Sequence, residues 1–269
     1  MTLVTNKTKI TAVIGHPLDH SLSPLLHNEF YRREGIGAAM IPITHPDVAE
    51  LVRIIRTIPL CLTAVTVPHK QTIISFLDEI DLTAKEIGAV NTVINKDGKL
   101  TGYNTDIVGV AYALRDVDFK GKRVLLLGAG GAAMPVAYYV REQGGELLCY
   151  NRTAEKAKEL INLFGGNVIT QLSQLELEPP DVIVNSTVVG MYPNIDESPL
   201  PSSLLTEHQT VFDVIYNPNE TKLLCEAKAA GARAINGLSM FAAQGLEQER
   251  LWVGTEASIE EYKDFLLKK

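Results

Sequence analysis

Short apolar, β-branched runs alternate with longer helix-like segments along almost the whole chain. This alternation restricts the fold to α/β with mainly parallel sheets. "KITAVIG" reads as a strand ending at Gly15, and "HSLSPLLHNEFYRREG" as a loop and helix with Ser23 as N-cap, Pro24 in the first position and Gly35 as the stop. "AAMIPIT" and "CLTAVTV" are further strands, and "PDVAELVRIIRTI" is a helix. "PHKQTIISFLDEI" is expected to be a helix opened by Pro68, and "DLTAKEIG" a short helix closed by Gly88. "AVNTVINKDGKLTGYN" reads as a hairpin turning at Asp97-Gly98. A second unit begins near Asp106, with strands in "KRVLLLG", "ELLCY", "VIT", "DVIVNST" and "TVFDVIYN". After "GARAIN" the chain turns helical again.

With 269 residues, the chain can build one large or two modest cores. Its net charge is −7 and it carries no long basic run, which argues against nucleic acid or an anionic membrane surface as principal partner. "MTLVTNKTKI" lacks the apolar core of a secretory peptide, and no run approaches the roughly 20 apolar residues of a membrane helix. Cys61, Cys149 and Cys225 are far apart and each lies in an apolar run, so buried thiols in a reducing compartment, the cytoplasm, are expected. His16, His20, His27 and His69 have no carboxylate or cysteine at ligand spacing, so no metal site is expected.

"LLLGAGGAAM" sets Gly128, Gly130 and Ala133 in the G-x-G-x-x-G/A pattern between a strand and a helix. The first glycine permits the tight turn, the second lets the backbone approach a pyrophosphate, and the small third residue lets the helix pack on the sheet. The diphosphate then meets free N–H groups at the helix N-terminus. About 20 residues on, where the ribose 2′ position is read, the chain has Asn151-Arg152-Thr153 rather than an acidic residue. A guanidinium can pair bidentately with a 2′-phosphate, which selects NADP(H) over NAD. The plainer alternative is a solvated arginine beside Thr153 as a helix N-cap.

Lys70 falls in the first turn of the helix expected after Pro68. There the positive end of the helix dipole disfavours its charged form, which suits a proton donor and acceptor. It reads equally as a surface lysine that falls early in a helix. "GYNTDIVG" places Asn104, Thr105 and Asp106 before an apolar helical run. That is ordinary N-cap chemistry, or else a carboxylate that holds the Lys70 ammonium. Ser21 and Ser23 could grip a polar ligand from one side of an extended loop, or serve as a loop residue and a cap.

The blocks "VIGHPLDHSLSPLLHN", "VTVPHK", "IGAVNTV", "GYNTDIVG", "LLLGAGGAA", "NRTAEKA", "VNSTVVGM" and "NGLSMFAAQG" together resemble the shikimate dehydrogenase family over nearly the whole chain. The resemblance implies an α/β protein of two domains. A substrate domain would span residues 1–105 plus 238–269, with a Rossmann-type NADP-binding domain inserted at 106–237. It implies reduction of 3-dehydroshikimate to shikimate, in a monomer or homodimer. Lys70 would exchange the proton with Asp106 as its catalytic partner. Ser21 and Ser23 would hold the substrate carboxylate, and Thr66, Asn91, Tyr216 and Gln244 the ring hydroxyls. Gly128, Ala129, Gly130, Gly131 and Ala132 would bind the pyrophosphate. Asn151, Arg152 and Thr153 would clamp the 2′-phosphate, and Val214 and Gly237 line the nicotinamide. The chain departs from the family at Leu62 and Ala64, where glycine and asparagine are usual. It departs again at Val188, where a proline is usual, and at Met134, in place of an arginine. A paralogue acting on quinate or another cyclic polyol is the alternative within the same chemistry, and an NADP-binding regulatory protein the alternative outside it.

Overall fold

A computed structural model describes residues 4–19 and 21–268; His20 lies outside them. The described residues form two six-stranded sheets, each in its own unit. The first unit takes the described residues up to Val108 and those from Ala242 onward; the second is Gly109–Phe241. The division falls within a helix, so Asp106 groups with the first unit.

In the first unit, β1 (Lys9–Gly15), α1 (Ser23–Glu34), β2 (Ala38–Thr44), α2 (Val48–Thr57) and β3 (Leu62–Val65) alternate strand with helix. β4 (Glu79–Ile80), α3 (Leu82–Ile87), β5 (Thr92–Lys96) and β6 (Lys99–Tyr103) follow, and α4 (Asp106–Ala113) leads out. The strand order is β2-β1-β3-β5-β6-β4. β1 is parallel to β2 and β3, whereas β5 is antiparallel to both β3 and β6. The β5–β6 hairpin turns where the sequence predicts, with Asp97 at φ 54° and Gly98 at φ 88°. Both central residues therefore occupy the positive-φ region that a two-residue hairpin requires. Ile14, Leu51, Ile55, Leu60, Ile73 and Val93 are among the residues that close the core on one side of this sheet. Each such side chain contributes about 1.5–3 kcal/mol when fully buried.

The segment after Pro68 is not an α-helix. A turn carries Lys70, and a short 3-10 helix, Thr72–Phe76, follows it. The Lys70 carbonyl accepts from the Val90 N–H at 2.7 Å, so it is committed outside the i→i+4 ladder on which an α-helix depends. At α1 the helix starts at Ser23 with Leu22 in the cap position, and Leu22 itself makes no side-chain cap bond. Ser23 is therefore the first helical residue and not the cap. The cysteines also differ from expectation, since Cys149 is buried, Cys61 half-buried and Cys225 exposed.

The second unit comprises β7 (Arg123–Leu127), α5 (Ala133–Glu142), β8 (Glu146–Tyr150), α6 (Ala154–Phe164) and β9 (Asn167–Ile169). After these come β10 (Val182–Asn185), β11 (Thr210–Asp213), α7 (Lys222–Ala229) and β12 (Arg233–Ile235). All pairs are parallel, in the order β12-β11-β10-β7-β8-β9. That order reverses beside β7, which is the doubly wound arrangement of the Rossmann fold. The unbroken apolar run of β7, with Val124 through Leu127 buried, is what a central parallel strand covered on both faces requires. α8 (Leu238–Val253) and α9 (Ile259–Leu267) end the chain. Among the described residues no helix is long and apolar enough to cross a membrane.

Asp213, at the end of β11, is fully buried. It accepts from Asn185 Nδ2 (3.0 Å), the Ile215 N–H (3.0 Å) and Thr221 Oγ1 (2.7 Å). Burial pushes its carboxyl up to about 6 from an ordinary 3.8, against the pull of those hydrogen bonds. Between these two values the folded chain binds the proton more tightly than the unfolded one, so this group lowers stability as pH rises through that window. Asp213→Asn, whose Thr221 partner can turn to accept, should flatten the dependence of Tm on pH there. An unchanged slope in the variant would assign the effect elsewhere.

Candidate active site

The β5–β6 hairpin juxtaposes its two ends. Asn91 lies immediately before β5, while Asn104, Thr105 and Asp106 follow β6, and Thr92 faces Tyr103 in register. Residues some fifteen positions apart in the sequence therefore meet in space. Asp106 opens α4, where the helix dipole favours a carboxylate. The dipole thus acts on Asp106 and not on Lys70, whose α-helix is absent.

Asp106 is 4% exposed, and each of its oxygens has a donor. Lys70 Nζ lies 2.6 Å from Oδ2, and Asn91 Nδ2 lies 2.9 Å from Oδ1. A buried carboxylate costs several kcal/mol unless it is paired and hydrogen-bonded in this way. Asn91 is itself 1% exposed. Its Nδ2 is also within reach of Thr105 Oγ1 (2.9 Å) and Gln244 Oε1 (3.2 Å). Its Oδ1 accepts from the Thr105 N–H (2.7 Å) and Thr92 Oγ1 (2.8 Å). Lys70, Asp106, Asn91 and Gln244 are thus joined directly by hydrogen bonds. Thr92, Thr105 and Gln248 complete the network; the sequence reading names Thr105 only beside Asp106 before a helical run, and does not single out Thr92 or Gln248. Gln248 carries a usable signal, because it stands one turn beyond Gln244 on an otherwise apolar helix face.

Thr66 directly follows β3 on the way into the Lys70 turn, and its carbonyl accepts from the His69 N–H at 2.9 Å. Ser21 and Ser23 sit where the loop enters α1, and Ser21 Oγ accepts from the Ser23 N–H at 3.3 Å. Ser21, not Ser23, thus satisfies a free N–H at this helix start. Leu62 and Ala64 are buried in β3. The histidines have structural partners: His16 meets Thr44 Oγ1, His69 meets the His45 carbonyl, and His27 meets Glu249. Among the described residues no group of three metal-ligating side chains could hold an ion.

The remaining predicted residues lie in the second unit. Gly128 has φ 104°, and a Cβ there would stand 2.7 Å from Ser186 Oγ. Gly130 is different, since a Cβ there would meet nothing within 4 Å. Only the first glycine is demanded by the protein's own geometry; the open space at the second suits a pyrophosphate laid against the backbone. Asn151 Oδ1 accepts from the Ala129 N–H at 3.2 Å, and Asn151 Nδ2 donates to the Thr153 carbonyl at 2.8 Å. One side chain thereby ties the glycine turn to the end of β8. Thr153 takes the N-cap position of α6 without a side-chain cap bond. Arg152 is exposed, and no ion pair among the described residues occupies it. These features fit a dinucleotide carrying a 2′-phosphate.

Gly237 approaches Val214 so closely that a Cβ would lie 2.2 Å from the Val214 carbonyl oxygen. Tyr216 is stacked on Phe241, with ring centroids 4.1 Å apart, and so belongs to the second unit, unlike the other predicted substrate residues. Met134 is buried in α5, so this position supplies packing and no cation. Replacing the two turn glycines should therefore give different outcomes. Gly128→Ala should lower Tm, whereas Gly130→Ala should leave Tm unchanged and weaken dinucleotide binding in calorimetry. Equal effects of both on Tm would contradict this assignment.

Two family models match the chain: one described as the shikimate dehydrogenase substrate binding domain at residues 13–93, the other as shikimate / quinate 5-dehydrogenase at 111–214. A shikimate dehydrogenase (NADP(+)) of Bacillus cereus is 41% identical, covering 97% of this chain and 98% of the relative. The crystal structure of shikimate dehydrogenase from Aquifex aeolicus superposes with a TM-score of 0.92 at 35% identity, over 99% of this chain and 100% of that one. The enzyme of Thermus thermophilus, in complex with NADP(H) and shikimate, gives 0.88 at 34% identity, over 97% and 99%. With coverage this complete in both directions, the chain belongs to the shikimate dehydrogenase family.

Proposed function

We infer that this chain catalyses the reversible NADP(H)-dependent interconversion of 3-dehydroshikimate and shikimate. The observation that carries the reading is the Lys70 ammonium held at 2.6 Å on a buried Asp106 whose other oxygen is fixed by Asn91. The names of the relatives, and the Thermus thermophilus complex, support the choice of substrate and cofactor.

When bound, NADPH supplies a hydride to the ring ketone. Negative charge then grows on the ketone oxygen, and Lys70 stabilises it and delivers a proton. Asp106 keeps the amine aimed through this step. In the reverse direction Lys70 removes the hydroxyl proton. Ser21 and Ser23 hold the substrate carboxylate, while Thr66, Asn91, Tyr216 and Gln244 bind ring hydroxyls. Gly128 through Ala132 receive the pyrophosphate on the N-terminus of α5. Arg152, with Asn151 and Thr153 beside it, holds the 2′-phosphate, and Val214 and Gly237 border the nicotinamide. The first unit supplies the substrate residues other than Tyr216, and the second unit supplies Tyr216 and the dinucleotide site. The three cysteines, all free thiols, agree with a cytoplasmic enzyme, acting as a monomer or homodimer.

Steady-state oxidation of shikimate and of quinate, each with NADP and with NAD, tests the reading. Turnover should be greatest for shikimate with NADP. Turnover of neither substrate with either dinucleotide would refute it, and a preference for quinate would reassign the substrate to the residues around Leu62 and Ala64. Arg152→Asp should reduce the preference for NADP over NAD by roughly 10–100-fold, the value of a charge-assisted bond to phosphate. Unchanged selectivity would show that another group reads the phosphate.

A further inference from the structure

Gln248 is 1% exposed and lies one turn beyond Gln244 on α8. Its Nε2 donates to the Thr92 hydroxyl at 2.9 Å and to the Asn91 carbonyl at 3.2 Å. Its Oε1 is buried without a hydrogen-bond partner among the described residues. An unpaired buried carbonyl is unfavourable, and a side chain present only to fill space would be better as methionine, which has similar length and no such group. The amide therefore needs a reason other than packing.

The reason is in the direction of the hydrogen bonds. Both acceptors of Gln248 lie at its nitrogen, so its amide orientation is fixed. The Thr92 hydroxyl, accepting from Gln248, has its single hydrogen left for Asn91 Oδ1 at 2.8 Å, a nearer acceptor than Thr105 Oγ1 at 3.3 Å. Asn91 Oδ1 is thereby an acceptor, and both hydrogens on its Nδ2 point toward Thr105, Asp106 and Gln244. From Gln248 to Asp106 every hydrogen runs the same way, ending on the carboxylate that aims Lys70. Ala64 is the cross-strand partner of Thr92 and presents only a methyl group on that face.

We propose that Gln248 is a positioning residue for proton transfer, acting through Thr92 and Asn91 to hold Asp106 in the orientation that aims Lys70. The proposal rests on the dehydrogenase reading. Its failure is separable from that reading's, because the wild-type chain is assayed in parallel: an inactive wild type refutes the reading, and an active wild type leaves the proposal to the variants. The experiment is a double-mutant cycle on the full chain, measuring kcat and KM for shikimate and NADP together with Tm.

Gln248→Met should lower kcat about tenfold with the KM for NADP unchanged, a displacement effect of the size small misalignments produce. Gln248→Glu should lower it further, because a carboxylate takes the Thr92 hydrogen and reverses the chain. Thr92→Val should match Gln248→Met, and the double variant should be no slower than the slower single one, since both act on one element. Thr92→Ser, which keeps the hydroxyl, should retain wild-type kcat and tests the same chain should Gln248→Met fail to fold. A wild-type kcat in Gln248→Met or Thr92→Val would overturn the proposal. So would multiplicative losses in the double variant, or equal losses in Thr92→Ser and Thr92→Val.

Discussion

A carboxylate removed from water must have its oxygens satisfied, and Asp106, at 4% exposure, is the group on which the first unit converges. Truncating one member of such a buried pair typically costs about 3–5 kcal/mol, because the other charge is left alone. Lys70 answers one oxygen and Asn91 the other. To supply these donors the chain brings together a turn after β3 and the two ends of one hairpin, and α8 near the C-terminus adds Gln244 as an acceptor for Asn91. The turn is held open by the Val90 N–H on the Lys70 carbonyl. The hairpin owes its register to two positive-φ residues, Asp97 and Gly98. The polar network and the backbone geometry therefore specify one another.

The second unit solves a different problem by backbone shape. Its parallel sheet reverses order beside β7, and the glycine turn opens there toward the start of α5. Gly128 is required by close contact with Ser186, and Gly130 by nothing in the protein. That contrast separates a residue that shapes the turn from one that leaves room for a ligand. Asn151 joins the turn to the strand end that carries the exposed Arg152, so the two segments proposed for the dinucleotide form a single connected surface. Asp213 and Asn185 give the adjacent strand ends a buried polar brace of their own.

Much of this is legible in the sequence, because it rests on local rules. The strand and helix alternation, the Asp97-Gly98 turn and the glycine pattern each depend on a few adjacent residues. The segment after Pro68 defeats those rules because its decisive bond is long-range: Val90 takes the carbonyl that a helix would need. Lys70 still stands out, although the helix-dipole argument for it does not hold; what fixes its ammonium is Asp106. Ser23 looks like a cap because serine before proline often is one, yet Ser21 makes the bond. Thr92 and Gln248 escape notice because an ordinary threonine or glutamine becomes informative only when its neighbours in space are known. Cys225 is misplaced for a similar reason: it lies on the exposed face of α7, and an apolar neighbourhood in sequence does not decide which face of a helix a residue takes.

The central claim is that Lys70, held by Asp106, exchanges the proton at the reacting oxygen. It is tested most directly by measuring shikimate oxidation and dinucleotide binding in Lys70→Met, a substitution that keeps the length of the side chain and removes its charge. The account predicts that kcat falls by about 10²–10⁴-fold, the usual contribution of a positioned acid–base group, while NADP binds as tightly as to the wild type. Turnover at the wild-type rate with intact NADP binding would contradict it.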